Sequence, residues 1–193
     1  MRVILLLIIT LLIMGNTTVD NNFYEGRTFK PIVVEAPRYD FKSIDVRPLD
    51  TNNPYKLYLH YREYIRYVAD KTQFSKEFIA GYWDFETEHG TSRLWLQELN
   101  GGGFNVGRFN PHQEGSTYSS DDGGSYKATF TNLKKAADGW VYVLNLSRYK
   151  RCPTLKTIVD QCRCMKDNMY HTDQSVKGRV QRISKYADAI YKQ

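Results

Sequence analysis

The segment that most constrains the fold is an apolar stretch from Ser75 to Gly90, SKEFIAGYWDFETEHG. Ser75 is suited to the N-cap of a helix, because its hydroxyl can accept a hydrogen bond from a free amide of the first turn. Gly90 is suited to the end, since glycine adopts the left-handed conformation without a steric penalty. The segment therefore predicts a mostly buried helix over residues 76–89, with large apolar residues at helical spacing: Phe78, Ile79, Tyr82, Trp83 and Phe85.

Glu86 lies in the last turn of this predicted helix, among aromatic neighbours. The free carbonyl groups at a helix C-terminus carry partial negative charge, and aromatic surroundings solvate a carboxylate poorly. Both effects predict a pKa for Glu86 above the ordinary value of about 4.3. A carboxylic acid that is protonated at neutral pH can protonate a glycosidic oxygen. A single Glu in the last turn of a helix is usually a solvated surface residue, and the polar neighbours Asp84, Glu88 and His89 fit that alternative as well.

The motif that begins at Glu86, ETEHGTSRL, resembles the Glu-(Ser/Thr)-x-x-Gly-x-Ser-x-Leu signature of the bacterial glucosaminidase family, glycoside hydrolase family 73. Members of that family have a lysozyme-like fold, and the leading Glu of the signature is the general acid. The resemblance therefore implies this role for Glu86. Downstream, Asn100 and residues 104–108 resemble the Asn and the Phe-Gly-Ile-Lys stretch of the family, which implies substrate contacts for Asn100 and Phe104. The sequence departs from the family pattern at Tyr82, at His89 and in the glycines at 101–103.

Residues 115–122, GSTYSSDD, resemble a family stretch in which two acids precede a Phe-Arg-x-Tyr strand, here SYKATF at 125–130. The resemblance implies a second acidic site at Asp121 or Asp122, with Glu114 as the runner-up. An ordinary hairpin turn at Asp-Asp-Gly-Gly is the equally weighted alternative.

Two later segments complete the resemblance. NLSRY at 145–149 is similar to a family Asn-x-x-Arg-Tyr segment, which implies that Tyr149 contacts the sugar; a core tyrosine is the alternative. MYHTDQSVKGRV at 169–180 is similar to a family segment whose tyrosine corresponds to Tyr170, which implies a substrate contact for Tyr170. We expect His171, within this segment, to be a surface residue.

The expected fold class is α+β, mostly α: a lysozyme-like helical domain over residues 53–193 with a small β-hairpin lobe. Asn53 and Pro54 predict the start of a first helix that ends near Asp70. Residues 103–130 predict two or three short strands. The remaining predicted helices are a short one capped by Thr91 or Ser92 and ending at Leu99, one over 132–146, one marked by Leu155 to Met165, and a final helix capped by Thr172 or Asp173.

The N-terminus predicts export. Residues 1–15 read as a signal peptide or N-terminal anchor, because an early Arg2 precedes an apolar run over 3–14 that is short for a membrane span. Residues 16–52 predict an irregular tether, with an extended piece at 32–35. The expected location is therefore secreted or in the cell envelope (periplasm), with membrane anchoring by residues 3–14 as the alternative.

Charge and cysteines add two expectations. The net charge of +6 is concentrated from Lys134 onward, with 13 Lys and Arg against 5 Asp and Glu, which predicts a solvated basic face or attraction to an anionic cell wall. No nucleic-acid motif accompanies this basic region.

In an oxidising compartment Cys152 could pair with Cys162 or Cys164. The Cys-x-Cys pair lacks a second pair of ligands for a metal.

The resemblance implies an endo-β-N-acetylglucosaminidase that acts as a monomer on peptidoglycan or a related N-acetylglucosamine-containing glycan, without a metal or other cofactor. The second step could use a carboxylate as nucleophile, a carboxylate that activates water, or the 2-acetamido group of the substrate. The alternatives are a muramidase or lytic transglycosylase on the same scaffold, and a non-catalytic protein that binds the cell wall.

Overall fold

The computed structural model of the chain describes residues 37–107, 110–120, 124–171 and 176–192. The chain divides into two units, Met1–Pro37 and Arg38–Gln193, and all the elements below belong to the second. The helices are α1 (Pro54–Thr72), α2 (Lys76–Glu86), α3 (Arg93–Glu98), α4 (Leu133–Leu144), α5 (Ile158–Asp167) and α6 (Val176–Tyr191). Two antiparallel strands, β1 (Gly115–Ser119) and β2 (Ser125–Thr129), form a hairpin between α3 and α4. The predicted α+β class, mostly α, is confirmed.

Helix α1 begins where the sequence predicts. The side chain of Asn53 accepts hydrogen bonds from the amides of Tyr55 (2.9 Å) and Lys56 (3.3 Å), and Pro54 occupies the first turn, where no amide is needed. The helix ends at Thr72, two residues beyond the predicted Asp70, because Gln73 adopts a left-handed conformation.

Helix α2 begins after Ser75 as predicted but ends at Glu86, three residues early. The hydroxyl of Thr87 donates to the carbonyl of Trp83 (2.7 Å) and accepts from the amide of Gly90 (2.9 Å). Glu88 and His89 already have positive φ angles, so the chain leaves the helix before Gly90. Glu86 is therefore the last helical residue, and its side chain projects from the end of the helix.

The packing of α2 against α6 brings two distant parts of the chain together. A Cβ atom added at Gly81 would lie 2.6 Å from the backbone of Ile183, so only glycine permits this approach. One turn further along α2, Asp84 is buried, and its carboxylate accepts hydrogen bonds from Arg182 (2.6 Å) and Tyr186 (3.1 Å) of α6. The expectation of a surface position is therefore wrong for Asp84: the buried carboxylate is matched by donors on α6.

The core of the helical part is largely aromatic. Trp83, Trp95 and Trp140 are fully buried, and Tyr61 and Tyr64 of α1 lie between their rings. Burying one such side chain contributes roughly 1.5–3 kcal/mol to folding. Much of the aromatic content of the sequence therefore serves packing.

The hairpin is joined to the loop that follows α3. Asn105 forms an isolated bridge with Lys127, and the amide of Val106 donates to the carbonyl of Tyr126 (2.9 Å). The loop thus runs beside β2 as a third, irregular strand. On β2, Lys127 and Ala128 are buried, whereas Tyr126 is exposed.

Other predicted boundaries differ by a few residues. Helix α4 ends at Leu144. Cys152–Thr154 forms a separate 3₁₀ turn, and α5 begins at Ile158 because the hydroxyl of Thr157 caps it by accepting from the amide of Asp160 (3.1 Å). A disulfide joins Cys152 to Cys164, and Cys162 is a buried free thiol. The predicted cap of the final helix at Thr172 or Asp173, the apolar run at 3–14 and the extended piece at 32–35 lie outside the described residues.

The described part of the predicted tether is irregular apart from one 3₁₀ turn, Phe41–Ser43. Tyr39 donates a hydrogen bond to Asp70 (2.5 Å), and Tyr61 donates to the carbonyl of Arg47 (3.1 Å). This segment therefore lies against α1. Across the described ranges, no helix combines the length and the apolar character that a membrane span requires.

Candidate active site

A cleft of about 400 Å³ opens beside the C-terminal end of α2. We call it the Glu86 cleft. One side is the loop at 102–107 together with β2, and the other is formed by residues at 142–149 and 169–171 and by α6. The cleft is lined by several charged and aromatic side chains: Glu86, Phe104, Lys127, Arg148, Tyr149, Tyr170, His171 and Arg179.

The carboxylate of Glu86 enters this cleft from the end of α2, and its side chain is only 18% exposed. Gly103 lies directly against it: a Cβ atom at Gly103 would collide with Oε2 of Glu86. Gly103 also has a φ of +63°, which residues other than glycine rarely adopt. Of the glycines at 101–103, where the sequence departs from the family pattern, Gly103 therefore lets the backbone pass beside the carboxylate, whereas Gly101 and Gly102 lie against tryptophan rings.

Arg179 of α6 forms an ion pair with Glu86, with 2.6 Å between Nη2 and Oε1. Its guanidinium lies 4.2 Å from the ring centroid of Phe85 and 5.5 Å from that of Tyr82, and its side chain is 3% exposed. A nearby guanidinium favours the ionised carboxylate. The guanidinium thus opposes the helix C-terminus and the aromatic surroundings, which both favour the protonated form. The predicted rise in the pKa of Glu86 stays a prediction.

Arg179 was not predicted from the sequence, although its position in the apolar spacing of α6 was a signal. Arg179 precedes Ile183 by four residues and Tyr186 by seven, so it lies on the buried face of α6. A buried arginine in such a stripe indicates an acidic partner. The sequence gives no means of choosing Glu86, which is 93 residues earlier.

Asn100 is buried and does not line the cleft. Its amide nitrogen donates to the carbonyls of Phe104 (2.8 Å) and Ala128 (3.0 Å), and its side-chain oxygen accepts from the amide of Phe104 (3.2 Å). These bonds fix the glycine-containing loop against β2. The structure thus gives Asn100 a positioning contact, while its predicted sugar contact stays a prediction.

Phe104, Tyr149 and Tyr170, which the resemblance marks as substrate contacts, do line the cleft. The rings of Tyr149 and Tyr170 lie 5.5 Å apart. The hydroxyl of Tyr170 accepts from Trp140 (2.7 Å) and donates to the carbonyl of Gly102 (3.0 Å). Burial, and then the charge of Glu86, raise the pKa of Tyr170, so it stays neutral. Tyr170 therefore acts as a fixed hydrogen-bonded wall.

Three further polar side chains reach the cleft. Lys127 is 8% exposed and donates to the carbonyl of Gly103 (3.3 Å). Arg148 is exposed, with its guanidinium 4.8 Å from the ring centroid of Tyr149. His171 is partly buried, with Nε2 3.4 Å from the hydroxyl of Tyr82, so the expected surface position is wrong.

Two of the three candidates for a second acid, Asp121 and Asp122, lie outside the described residues. The third, Glu114, does not line the cleft. It accepts hydrogen bonds from the amide (2.7 Å) and the hydroxyl (2.5 Å) of Thr131 and forms an ion pair with Lys135. The hydrogen bonds from Lys135 and Thr131 lower its pKa to about 2. Glu114 therefore ties the start of β1 to the start of α4.

No protein-family model and no curated protein matches this chain. Among solved structures, a chain of a complex described as a type VI secretion system effector-immunity complex from Pseudomonas protegens is similar, with a TM-score of 0.57 and 14% sequence identity. The similarity covers 73% of this chain and 96% of that chain. At this identity it shows a shared fold: this protein has the fold of one chain of that effector-immunity complex.

Proposed function

We propose that this protein is a peptidoglycan hydrolase, an endo-β-N-acetylglucosaminidase in which Glu86 protonates the glycosidic oxygen. The observation that carries the proposal is the position of Glu86. It is the last residue of a buried helix, it is mostly shielded from water, and it enters a cleft that Phe104, Tyr149 and Tyr170 also line. Phe104 and Tyr149 are buried, so they shape the wall of the cleft more than they offer a ring face to a sugar. A shielded acid that enters such a cleft suits a glycan chain.

The two oxygens of Glu86 have different surroundings, which suggests separate roles. Oε1 faces Arg179, which fixes the orientation of the carboxyl group. Oε2 faces Gly103, and we assign the transferable proton to it. Because the ion pair favours the ionised form, substrate binding has to promote protonation by displacing water from the cleft.

The second step has two candidate groups. Among the described residues that line the cleft, Glu86 is the only carboxylate, which favours assistance by the 2-acetamido group of the substrate. Asp121 and Asp122, which lie outside the described residues, stay the candidates that the resemblance implies. A carboxyl separation of about 5–5.5 Å would suit a nucleophile, and one of about 6.5–9.5 Å would suit activation of water.

The location that we propose is outside the cytoplasm. The disulfide between Cys152 and Cys164 supports an oxidising compartment. The similar chain comes from an effector-immunity complex, which supports a role in a secretion system. The cleft, with a carboxylate at the end of a buried helix, favours the assignment of this protein as the effector of such a pair and not as the immunity protein.

A non-catalytic wall-binding protein is the second candidate, and the ion pair between Arg179 and Glu86 favours it, since a permanently ionised Glu86 cannot donate a proton. Digestion of purified sacculi separates the two candidates. The wild type is expected to release soluble fragments with N-acetylglucosamine at the new reducing end, measured by mass spectrometry. N-acetylmuramic acid or an anhydro-sugar at that end would indicate a muramidase or a lytic transglycosylase.

Glu86→Gln is expected to lower the rate of release by about 10²–10⁴-fold while the protein stays folded. Glu88→Gln is the matched control, because Glu88 is exposed and two residues further along. Activity of Glu86→Gln within a few-fold of the wild type would remove Glu86 from the mechanism. Binding to sacculi by the wild type without release of fragments would establish the second candidate.

A further inference from the structure

The described part of the Glu86 cleft has an excess of positive charge. Lys127, Arg148 and Arg179 line it, against one carboxylate, that of Glu86. Arg179 is paired with Glu86. Lys127 and Arg148 form no ion pair with any acidic side chain in the described parts of the chain, so two positive charges face a ligand.

The buried position of Lys127 costs free energy. An ammonium group that is largely removed from water loses solvation, and the single carbonyl of Gly103 compensates less well than a carboxylate would. A bound anion would offset this cost. The neutral sugars of a chitin-like polymer provide none.

Arg148 is placed to reach the same ligand from the rim. Its guanidinium lies against the ring of Tyr149, which restricts its orientation beside a residue that lines the cleft. A guanidinium held in this way presents its donors to a carboxylate with little further loss of freedom. Lys127 on the hairpin side and Arg148 at the rim therefore give the cleft two separate donors for an anion.

Resting on the proposed function, we infer that the cleft selects glycan strands that carry carboxylates, and that Lys127 and Arg148 bind a carboxylate of the strand. In peptidoglycan this group belongs either to the lactyl substituent of the muramic acid or to the attached peptide. Uncharged polymers of N-acetylglucosamine are then poor ligands, even though they contain the same type of glycosidic bond.

Equilibrium binding tests the inference without turnover. Calorimetry on the full chain carrying Glu86→Gln compares soluble peptidoglycan fragments with the same fragments after amidation of their carboxylates, and with chito-oligosaccharides of equal length. The unmodified fragments are expected to bind about tenfold more tightly or better, because a charge-assisted hydrogen bond is lost on amidation. Peptide-free fragments distinguish the sources: a preference that persists in them assigns the lactyl carboxylate, and one that requires the peptide assigns the peptide carboxylate.

Variants at the rim locate the effect. Arg148→Gln is expected to remove most of the preference and Arg148→Lys to keep most of it. The matched control is Arg163→Gln, since Arg163 is an exposed arginine of α5 that does not line the cleft. Equal affinity for native and amidated fragments overturns the inference, as does a preference that survives in the Lys127→Gln, Arg148→Gln double variant.

The two proposals fail separately. Cleavage of sacculi by the wild type, together with equal binding of native and amidated fragments, leaves the hydrolase standing and removes the carboxylate site. Carboxylate-dependent binding in a protein that cleaves no sacculi keeps the carboxylate site and removes the hydrolase.

Discussion

At the scale of single residues, the carboxylate of Glu86 is held between a cation and a backbone. Arg179 contacts one oxygen, and the Cα of Gly103 leaves no room for a side chain beside the other. These two neighbours act differently, one through charge and one through space. Each therefore gives a prediction with its own measurement.

Arg179→Met is expected to move the alkaline limb of the pH profile of kcat/KM to higher pH, by about one pH unit or more. Without the guanidinium, the ionised form of Glu86 loses its partner, so the protonated acid persists to higher pH. Arg182→Met is the control, because Arg182 lies on the same helix and pairs with Asp84 instead. An unchanged alkaline limb in a folded Arg179→Met protein would separate Arg179 from the ionisation of Glu86.

Gly103→Ala is expected to destabilise the protein by about 1–3 kcal/mol, since alanine is strained at a positive φ, and to reduce kcat by displacing Glu86. Gly107→Ala is a close control: Gly107 also lines the cleft, but an added Cβ would meet its nearest atom at an ordinary 3.5 Å. Urea unfolding and steady-state kinetics on both variants check the prediction. Equal behaviour of the two variants would contradict it.

At the scale of elements, Glu114 links the start of β1 to α4. Its folded pKa of about 2 is below its ordinary value of 4.5, so its bonds stabilise the fold above pH 4.5, and this contribution disappears as the pH falls toward 2. The melting temperature of Glu114→Gln should therefore be below that of the wild type at pH 7, and the difference should vanish near pH 2. A difference that does not depend on pH would contradict this role.

The disulfide between Cys152 and Cys164 closes a short loop from the 3₁₀ turn to the middle of α5. Cys152→Ser is expected to lower the free energy of unfolding by about 2–4 kcal/mol, measured by urea unfolding. A reducing agent should lower the stability of the wild type to a similar value and leave the variant unchanged.

Burial raises the pKa of the Cys162 thiol to about 11, so this thiol should resist alkylation at pH 8 until the protein unfolds.

The elements also show what the sequence could predict. The caps at Ser75 and Asn53, together with the apolar spacing, located the starts of α1 and α2, because both signals are local. The end of α2 was misplaced because the bonds of the Thr87 hydroxyl end the helix before the glycine is reached. Glu86 was found through its motif, whereas the pairing of Arg179 with Glu86 depends on how α6 packs against α2, which no local pattern encodes.

At the scale of the whole molecule, the proposed function requires export. The sequence predicts that secreted protein has lost at least residues 1–14, which N-terminal sequencing of material from the medium or periplasm would show. An intact Met1 in a membrane fraction would instead establish an N-terminal anchor.

The packing of α6 against α2 has a consequence for how the protein is made. The chain emerges from the ribosome with its N-terminus first, so Glu86 emerges 93 residues before Arg179, which orients it. Until α6 is synthesised, the groove at Gly81 is uncovered and the buried carboxylate of Asp84 lacks its donors from Arg182 and Tyr186. A nascent or prematurely terminated copy therefore carries the proposed acid without the arginine that orients it and without a completed cleft.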